Sequence, residues 1–316
     1  DNIAAALQTW STRITREWMR YWLTKTNTRT VCFSGGLSMN IKANGELLDI
    51  PELDWLSVPA SGGDESLSIG ACYFACVEGG GRPTSMASPY LGLIDGKIGE
   101  EDDWTVGVRK AGGEVKDFVV IERVGAPEIA RLLASNVIVA RCAGPMEFGA
   151  RALGNRSILA NPSDPSNLKR INDAIKNRDF WMPFTPSILA EYADRYLVNP
   201  KRVISPYMTI GFHTTEAAAR EIPAALHPGD FTARPQFVSK ETNPEYWQLI
   251  SEFEKLTGVP ALLNTSLNLH GDPMNCTVAD AARTVALSAL DCLVMPGNRL
   301  LVKASAMQSV TAILAS

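Results

Sequence analysis

The sequence predicts an α/β fold in two successive units, on three observations. Short β-branched and aromatic runs alternate with stretches of helical apolar periodicity. The first such run ends in a glycine turn that opens a helix, as a strand–turn–helix unit requires. A stretch from 79 to 92, with Gly79, Gly80, Gly81, Pro83, Pro89 and Gly92, then interrupts the pattern before it resumes.

Taken in order, apolar residues at helical intervals (Ile3, Leu7, Trp10, Ile14, Trp18, Trp22) predict a helix over 3–23. A strand over 30–33 runs into Ser34-Gly35-Gly36 and a helix over 37–48; a second short strand over 55–58 meets Ser61-Gly62-Gly63-Asp64 and a helix over 67–77. Beyond the break, strands are expected at 119–121, 137–140, 207–212, 236–238, 261–263 and 292–295, and helices at 126–135, 166–176, 243–257 and 277–289. Thr277 and Asp280 have the spacing of a capping box.

Composition narrows the function classes. A 316-residue chain that is 46% hydrophobic and 20% charged is an ordinary globular protein of about two domains. Its net charge of −4 argues against tracking a nucleic-acid backbone. Apolar runs fall short of the ~20 residues a membrane helix needs. Six scattered cysteines suit a reducing, cytoplasmic setting; Cys72 and Cys76, one helical turn apart, read as buried thiols rather than half a zinc site. Three histidines form no i, i+4 pair, and no Gly-x-Ser-x-Gly elbow signals a serine hydrolase.

Against this background one region stands out. Between Arg141 and Arg178 seven basic residues face three acidic ones, which predicts a local anion pocket rather than a basic surface. Arg151 and Arg156 flank Gly154, and a guanidinium fork suits phosphate or carboxylate. Lys176 and Arg178 precede the stiff Pro183-Phe184-Thr185-Pro186 segment. Thr232, Arg234 and Gln236 alternate, so an extended chain would put them on one face. Asn264-Thr265-Ser266-Leu267-Asn268 concentrates polar side chains at a strand end. Successive amides at Ser34-Gly35-Gly36 can hold a phosphate or simply make a tight turn, and Asp64 alone reads as a helix N-cap.

In their order along 30–303 these segments resemble the carbamoyltransferase family of nodulation-factor and antibiotic O-carbamoyltransferases. The resemblance is carried by Ser34-Gly35-Gly36 through Asn44-Gly45, Gly63-Asp64-Glu65, Met146 through Leu159, Pro183 through Ser187, Thr232 through Gln236, and Asn264 through Asn268. It implies the carboxy-terminal part of an actin-like domain over 1–80, a linker over 81–108 and a YrdC-like domain over 109–316. The YrdC-like unit would form carbamoyl-adenylate from ATP and carbamoyl phosphate; the actin-like unit would pass the carbamoyl group to a hydroxyl of a small acceptor.

The same resemblance implies site roles. Arg151, Arg156, Lys176, Arg178, Arg234 and Asn264 would be catalytic. Ser34, Gly35, Gly36, Asn40, Asn44, Gly62, Gly63, Gln236, Thr265, Ser266 and Asn268 would bind cofactor, and Asp64 would be a metal ligand. ATP with Mg2+ is the expected cofactor, and Fe2+ or another divalent metal belongs to the complete actin-like domain. The family's His-x-x-x-His motif has no counterpart in this sequence, and the chain begins at Asp1 without methionine. It therefore reads as a carboxy-terminal portion or one partner of a split enzyme, with an upstream half or partner chain expected and a homodimer also open. Pro145, Ala150 and Met182 depart from the family pattern. The rival readings are a YrdC-like tRNA-modification enzyme using threonine and bicarbonate, and a non-catalytic nucleotide-binding module.

Overall fold

The computed structural model describes residues 2–92, 103–176 and 182–316. The first unit holds α1 (Asn2–Thr26), β1 (Thr30–Cys32), α2 (Ile41–Leu47), β2 (Trp55–Ser57) and α3 (Leu67–Glu78). β1 and β2 form a two-stranded parallel sheet with Val31 opposite Leu56. The expected helix over 37–48 is divided: a 3-10 turn, Gly36–Met39, stops at Asn40, whose side chain accepts from Ala43 N and so caps α2.

The second unit contains α4 (Trp104–Lys110), β3 (Phe118–Glu122), α5 (Ala126–Ala134), β4 (Val139–Cys142), β5 (Arg156–Ala160), α6 (Ser166–Ile171), β6 (Thr185–Leu189), α7 (Ala193–Tyr196), α8 (Glu216–Glu221), β7 (Gln236–Val238), α9 (Pro244–Thr257), β8 (Ala261–Ser266), α10 (Val278–Ala286), β9 (Cys292–Met295), β10 (Arg299–Lys303) and α11 (Met307–Leu314). Its eight strands form one mixed sheet in the order β3-β10-β9-β4-β5-β8-β6-β7. Alternate residues feed two apolar cores: Val139, Leu159 and Leu300 point to one, Ala140, Ile158 and Leu301 to the other. Helices α5, α9 and α11 cover the first face, α4 and α10 the second, making three layers. The capping box at Thr277 and Asp280 is present.

Several expected elements change for identifiable reasons. Segment 207–212 is not a strand: Met208 has φ +58°, and the backbone bonds outward, Asn44 donating to Thr209 O at 2.8 Å and Gly211 N to Ile41 O at 3.1 Å. Only an isolated bridge, Phe212 to Ala233, remains. The strand expected from 137 starts at Val139, because Asn136 at φ +66° and Val137 N, bonded to Leu132 O, close α5. β6 carries Pro186 where a strand was unexpected; pairing to β7 begins only at Ser187, so no amide is missed there. The stretch 81–108, read as a linker, contains the start of α4, and its Tyr90 pairs with Glu147 in the second unit.

The two units touch through these same atoms. Lys201 Nζ donates to Ile50 O and Leu53 O, both at 2.5 Å, and burial lowers its pKa. Among the described residues no helix is long and apolar enough to cross a membrane.

Candidate functional site

The central loop, 144–155, turns three times at glycines of positive φ: Gly144 (+75°), Gly149 (+104°) and Gly154 (+111°). Buried Glu147 holds it. Its Oε1 accepts from the backbone N–H groups of Leu153, Asn155 and Arg156 at 2.5, 3.1 and 3.2 Å. Buried Arg141 grips the other side, donating from Nη1 to Ala143 O, Gly154 O and Asn155 Oδ1. Burial lowers its pKa while Glu245, 3.2 Å away, opposes the shift. Tyr90 OH donates to Leu153 O at 2.8 Å and is kept protonated by burial.

So fixed, the loop presents Ala150, Arg151 and Ala152 to a cavity of ≈ 330 Å³. Opposite them stand Pro183, Phe184, Thr185, Met208, Arg234 and the β8 residues Asn264, Thr265 and Ser266. The structure thus gathers Arg151, Arg234, Asn264, Thr265 and Ser266 from three separate stretches of sequence. Asn264 is set by β8: its Nδ2 donates to Ser187 Oγ at 3.0 Å and Ala152 O at 3.2 Å, while its buried Oδ1 has no hydrogen-bond partner among the described residues.

Lys176 reaches the same turn from behind. A π-helical stretch, Asn172–Lys176, extends α6, and the extra residue in that turn redirects the chain. The ammonium donates to Ser266 Oγ at 3.1 Å and to Asn268 Oδ1 at 2.5 Å, and Ser266 Oγ itself donates to Asn268 Oδ1 at 2.7 Å. Lys176 is only 1% exposed. Its place is therefore to shape the turn 264–268.

Other sequence-singled residues lie elsewhere. Arg156 is 3% exposed and donates to three backbone carbonyls, Cys276 O, Gly144 O and Asn155 O, at 2.8–2.9 Å. The reading of Arg151 and Arg156 as a matched pair is corrected: one lines the cavity, the other ties strand to loop. Of the alternating Thr232, Arg234 and Gln236, the first two line one cavity and Gln236 departs from them. Gln236 is buried, donating to Leu153 O at 2.8 Å and accepting from Ser187 Oγ at 2.7 Å. Arg178 lies outside the described residues.

In the first unit the two glycine turns meet. A Cβ on Gly62 would lie 2.8 Å from Gly35 O, and Gly62 N donates to Met39 Sδ at 3.4 Å. Ser34, Gly35 and Gly36 are exposed, Gly35 at φ +97°. Gly63 precedes the 3-10 turn Asp64–Ser66. Asn40 is spent on its cap, and Asn44 donates to Ser38 O and Thr209 O. Asp64 is exposed beside Glu65, and among the described residues no group of three or more His, Cys, Asp or Glu could hold a metal. Cys72, expected to be buried, is exposed, because α3 buries none of its residues.

Sequence reasoning missed a larger cavity of ≈ 600 Å³ between α2 and the second unit. It shares Pro183, Phe184 and Arg234 with the smaller one and adds Lys42, His213 and His227. Residues so far apart in the chain gave no local pattern.

The family profile for the carbamoyltransferase C-terminus matches residues 130–303, and that for the carbamoyltransferase N-terminus matches residues 1–73. Nodulation protein NolO of Bradyrhizobium diazoefficiens is 34% identical over 298 residues, covering 93% of this chain and 53% of that protein. Nodulation protein NolNO of Sinorhizobium fredii is 34% identical over 314 residues (96% and 44%), and Nodulation protein U of Rhizobium tropici 34% over 245 (77% and 39%). The chain thus spans about half the length of the curated relatives it matches. Full-length HypF in its phosphate- and nucleotide-bound form overlaps 54% of the chain and 21% of its own at TM-score 0.37 and 13% identity. With both profiles matched in order and the larger one spanning more than half of its residues, the chain belongs to the carbamoyltransferase family.

Proposed function

We propose that the second unit activates a carbamoyl group with ATP for transfer to a hydroxyl of a small acceptor. The observation that carries this is the Asn264 Oδ1 acceptor, buried without a partner among the described residues in the wall of a cavity that also holds Arg151 and Arg234. A buried acceptor costs about 1–3 kcal/mol when unsatisfied, so it favours a ligand with an N–H donor. Carbamoyl phosphate carries both an amide N–H and the anionic oxygens that guanidinium forks prefer.

In this reading carbamoyl phosphate is hydrolysed to carbamate and phosphate. A carbamate oxygen then attacks the α-phosphorus of ATP, the bond to the β-phosphate oxygen breaks, and carbamoyl-adenylate and pyrophosphate result. Arg151 and Arg234 offset the repulsion between the two anions, Asn264 orients the carbamoyl nitrogen, and Lys176 holds the turn carrying Thr265 and Ser266. Positioning and fixed charge dominate such a step. Mg2+ would accompany ATP, and Asp64 would contribute to a metal centre only with ligands from beyond the described residues. The division into units at 1–80 and 109–316, a cytoplasmic setting and a homodimer belong to the same proposal.

The test is incorporation of labelled pyrophosphate into ATP in the presence of carbamoyl phosphate. Arg151→Ala and Arg234→Ala should each lower it at least a hundredfold with the fold intact. Full exchange in either variant overturns the assignment, and ATP binding without exchange in the unaltered chain selects a nucleotide-binding module instead.

A further inference from the structure

Three polar side chains lie where the interior of a sheet is ordinarily apolar. Asn264 of β8, Ser187 of β6 and Gln236 of β7 come from adjacent strands, Ser187 in register with Gln236, and are 1%, 0% and 2% exposed. Buried polar groups cost free energy unless they are paired, so three kept together must bond one another or the backbone. They do both. Ser187 Oγ donates to Gln236 Oε1 at 2.7 Å and accepts from Asn264 Nδ2 at 3.0 Å. The two ends rest on the central loop: Gln236 Nε2 donates to Leu153 O at 2.8 Å and to Tyr90 OH at 3.3 Å, and Asn264 Nδ2 donates to Ala152 O at 3.2 Å.

Two backbone carbonyls thereby dictate the direction of every bond in the relay. Leu153 O can only accept, so the Gln236 atom against it is the NH2 group and the atom against Ser187 is the carbonyl oxygen. That oxygen takes the single hydroxyl hydrogen of Ser187, which leaves Ser187 Oγ to accept from Asn264. Ala152 O imposes the same orientation on the Asn264 amide from the other side. Both amide NH2 groups and the hydroxyl are then fully engaged. Among the described residues the one side-chain polar atom of the three left over is Asn264 Oδ1, on a residue of the cavity wall.

We propose that Ser187 and Gln236 are positioning residues that hold Asn264 with its carbonyl oxygen free for the ligand, and so make the cavity selective for a carbamoyl group over an isostere without an N–H. This selectivity rests on carbamoyl phosphate being the ligand of the arginine cavity. Neither Ser187 nor Gln236 lines that cavity; both act through Asn264. Acetyl phosphate has the same charge and nearly the same shape, with a methyl group in place of the amide nitrogen. Against it the Oδ1 acceptor stays buried and unpaired, the kind of mismatch by which a polar site rejects an analogue. Without the relay, Ala152 O alone opposes rotation of the Asn264 amide about its last bond, and an NH2 group turned to the ligand gives a carbamoyl nitrogen nothing to donate to.

The test is calorimetric titration of the full chain with carbamoyl phosphate and with acetyl phosphate, in the cold and without ATP, read as the ratio of the two dissociation constants. The unaltered chain should prefer carbamoyl phosphate by about tenfold or more. Ser187→Ala and Gln236→Met, which break the relay at its middle and at its far end, should each shrink that preference to about threefold or less, whereas Ser187→Thr keeps the hydroxyl and should retain it. Circular dichroism checks that each variant is folded, and the two breaks make the result independent of either one. Variants that bind both ligands more weakly by the same factor, with the ratio unchanged, would show a merely structural role and overturn the proposal. Equal binding of the two ligands by the unaltered chain overturns it too, while leaving the carbamoyl-activating role of the cavity standing. Binding of neither ligand overturns both.

Discussion

Gly154 lies face to face with the ring of Tyr246: a Cβ at position 154 would come within 2.3 Å of Tyr246 Cδ1 and 2.6 Å of Cε1. Gly154 also sits at φ +111°, where side-chain-bearing residues are strained. Both constraints fall on one residue because the loop must reverse against α9 while Arg141 holds its carbonyl at 2.8 Å. The ring cannot yield, since Tyr246 is fully buried in the first core. Gly154→Ala should therefore cost about 3 kcal/mol, combining overpacking with backbone strain. Urea unfolding checks this, and a change below about 0.5 kcal/mol would show that the loop can move aside.

Glu147 makes a separate prediction for the same loop. One carboxylate oxygen collects three backbone N–H groups, and removal leaves all three buried without an acceptor. Glu147→Ala should destabilise by about 3 kcal/mol or more, whereas Glu147→Gln keeps an oxygen in place and should cost about half as much. Equal losses in the two variants would mean that the charge, not the acceptor geometry, holds the loop.

How these roles divide was only partly legible beforehand. Local patterns located α1, α9 and β9, because apolar periodicity and capping residues are contained within a few turns. The polar clusters also pointed to the cavity, since Arg151, Arg234 and Asn264 are residues that a core does not need. Glu147 lies within the Met146–Leu159 segment, where the sequence shows only its charge; its partners lie six to nine residues on, at amides that carry no sequence signal. Arg156 looked like a second phosphate ligand because Cys276 O, which it binds, is 120 residues away. Long-range partners decided what local spacing left open.

That division of labour between the two arginines is testable. Arg156→Ala removes a buried guanidinium's hydrogen bonds to Cys276 O, Gly144 O and Asn155 O and should lower stability by about 2–4 kcal/mol. Arg151→Ala, at the cavity wall, should lower the unfolding free energy by less than Arg156→Ala does. Paired urea titrations decide between this outcome and its reverse, in which Arg151 proves the structural member.

Cysteine reactivity reports both the core and the outward face of the first unit. Only a thiolate attacks an aromatic disulfide reagent, so reactivity needs exposure and ionisation together. Cys292 has neither: it is fully buried in β9, and burial pushes its thiol up to about 12, leaving roughly one molecule in ten thousand ionised at pH 8. Cys142 is buried likewise, whereas Cys32 on β1 and Cys72 on α3 are exposed. In the isolated native chain Cys32 and Cys72 should therefore react at least a hundredfold faster than Cys142 and Cys292, and all should react alike in 6 M guanidinium. A single rate for every cysteine in the native chain would contradict the packing of β4 and β9.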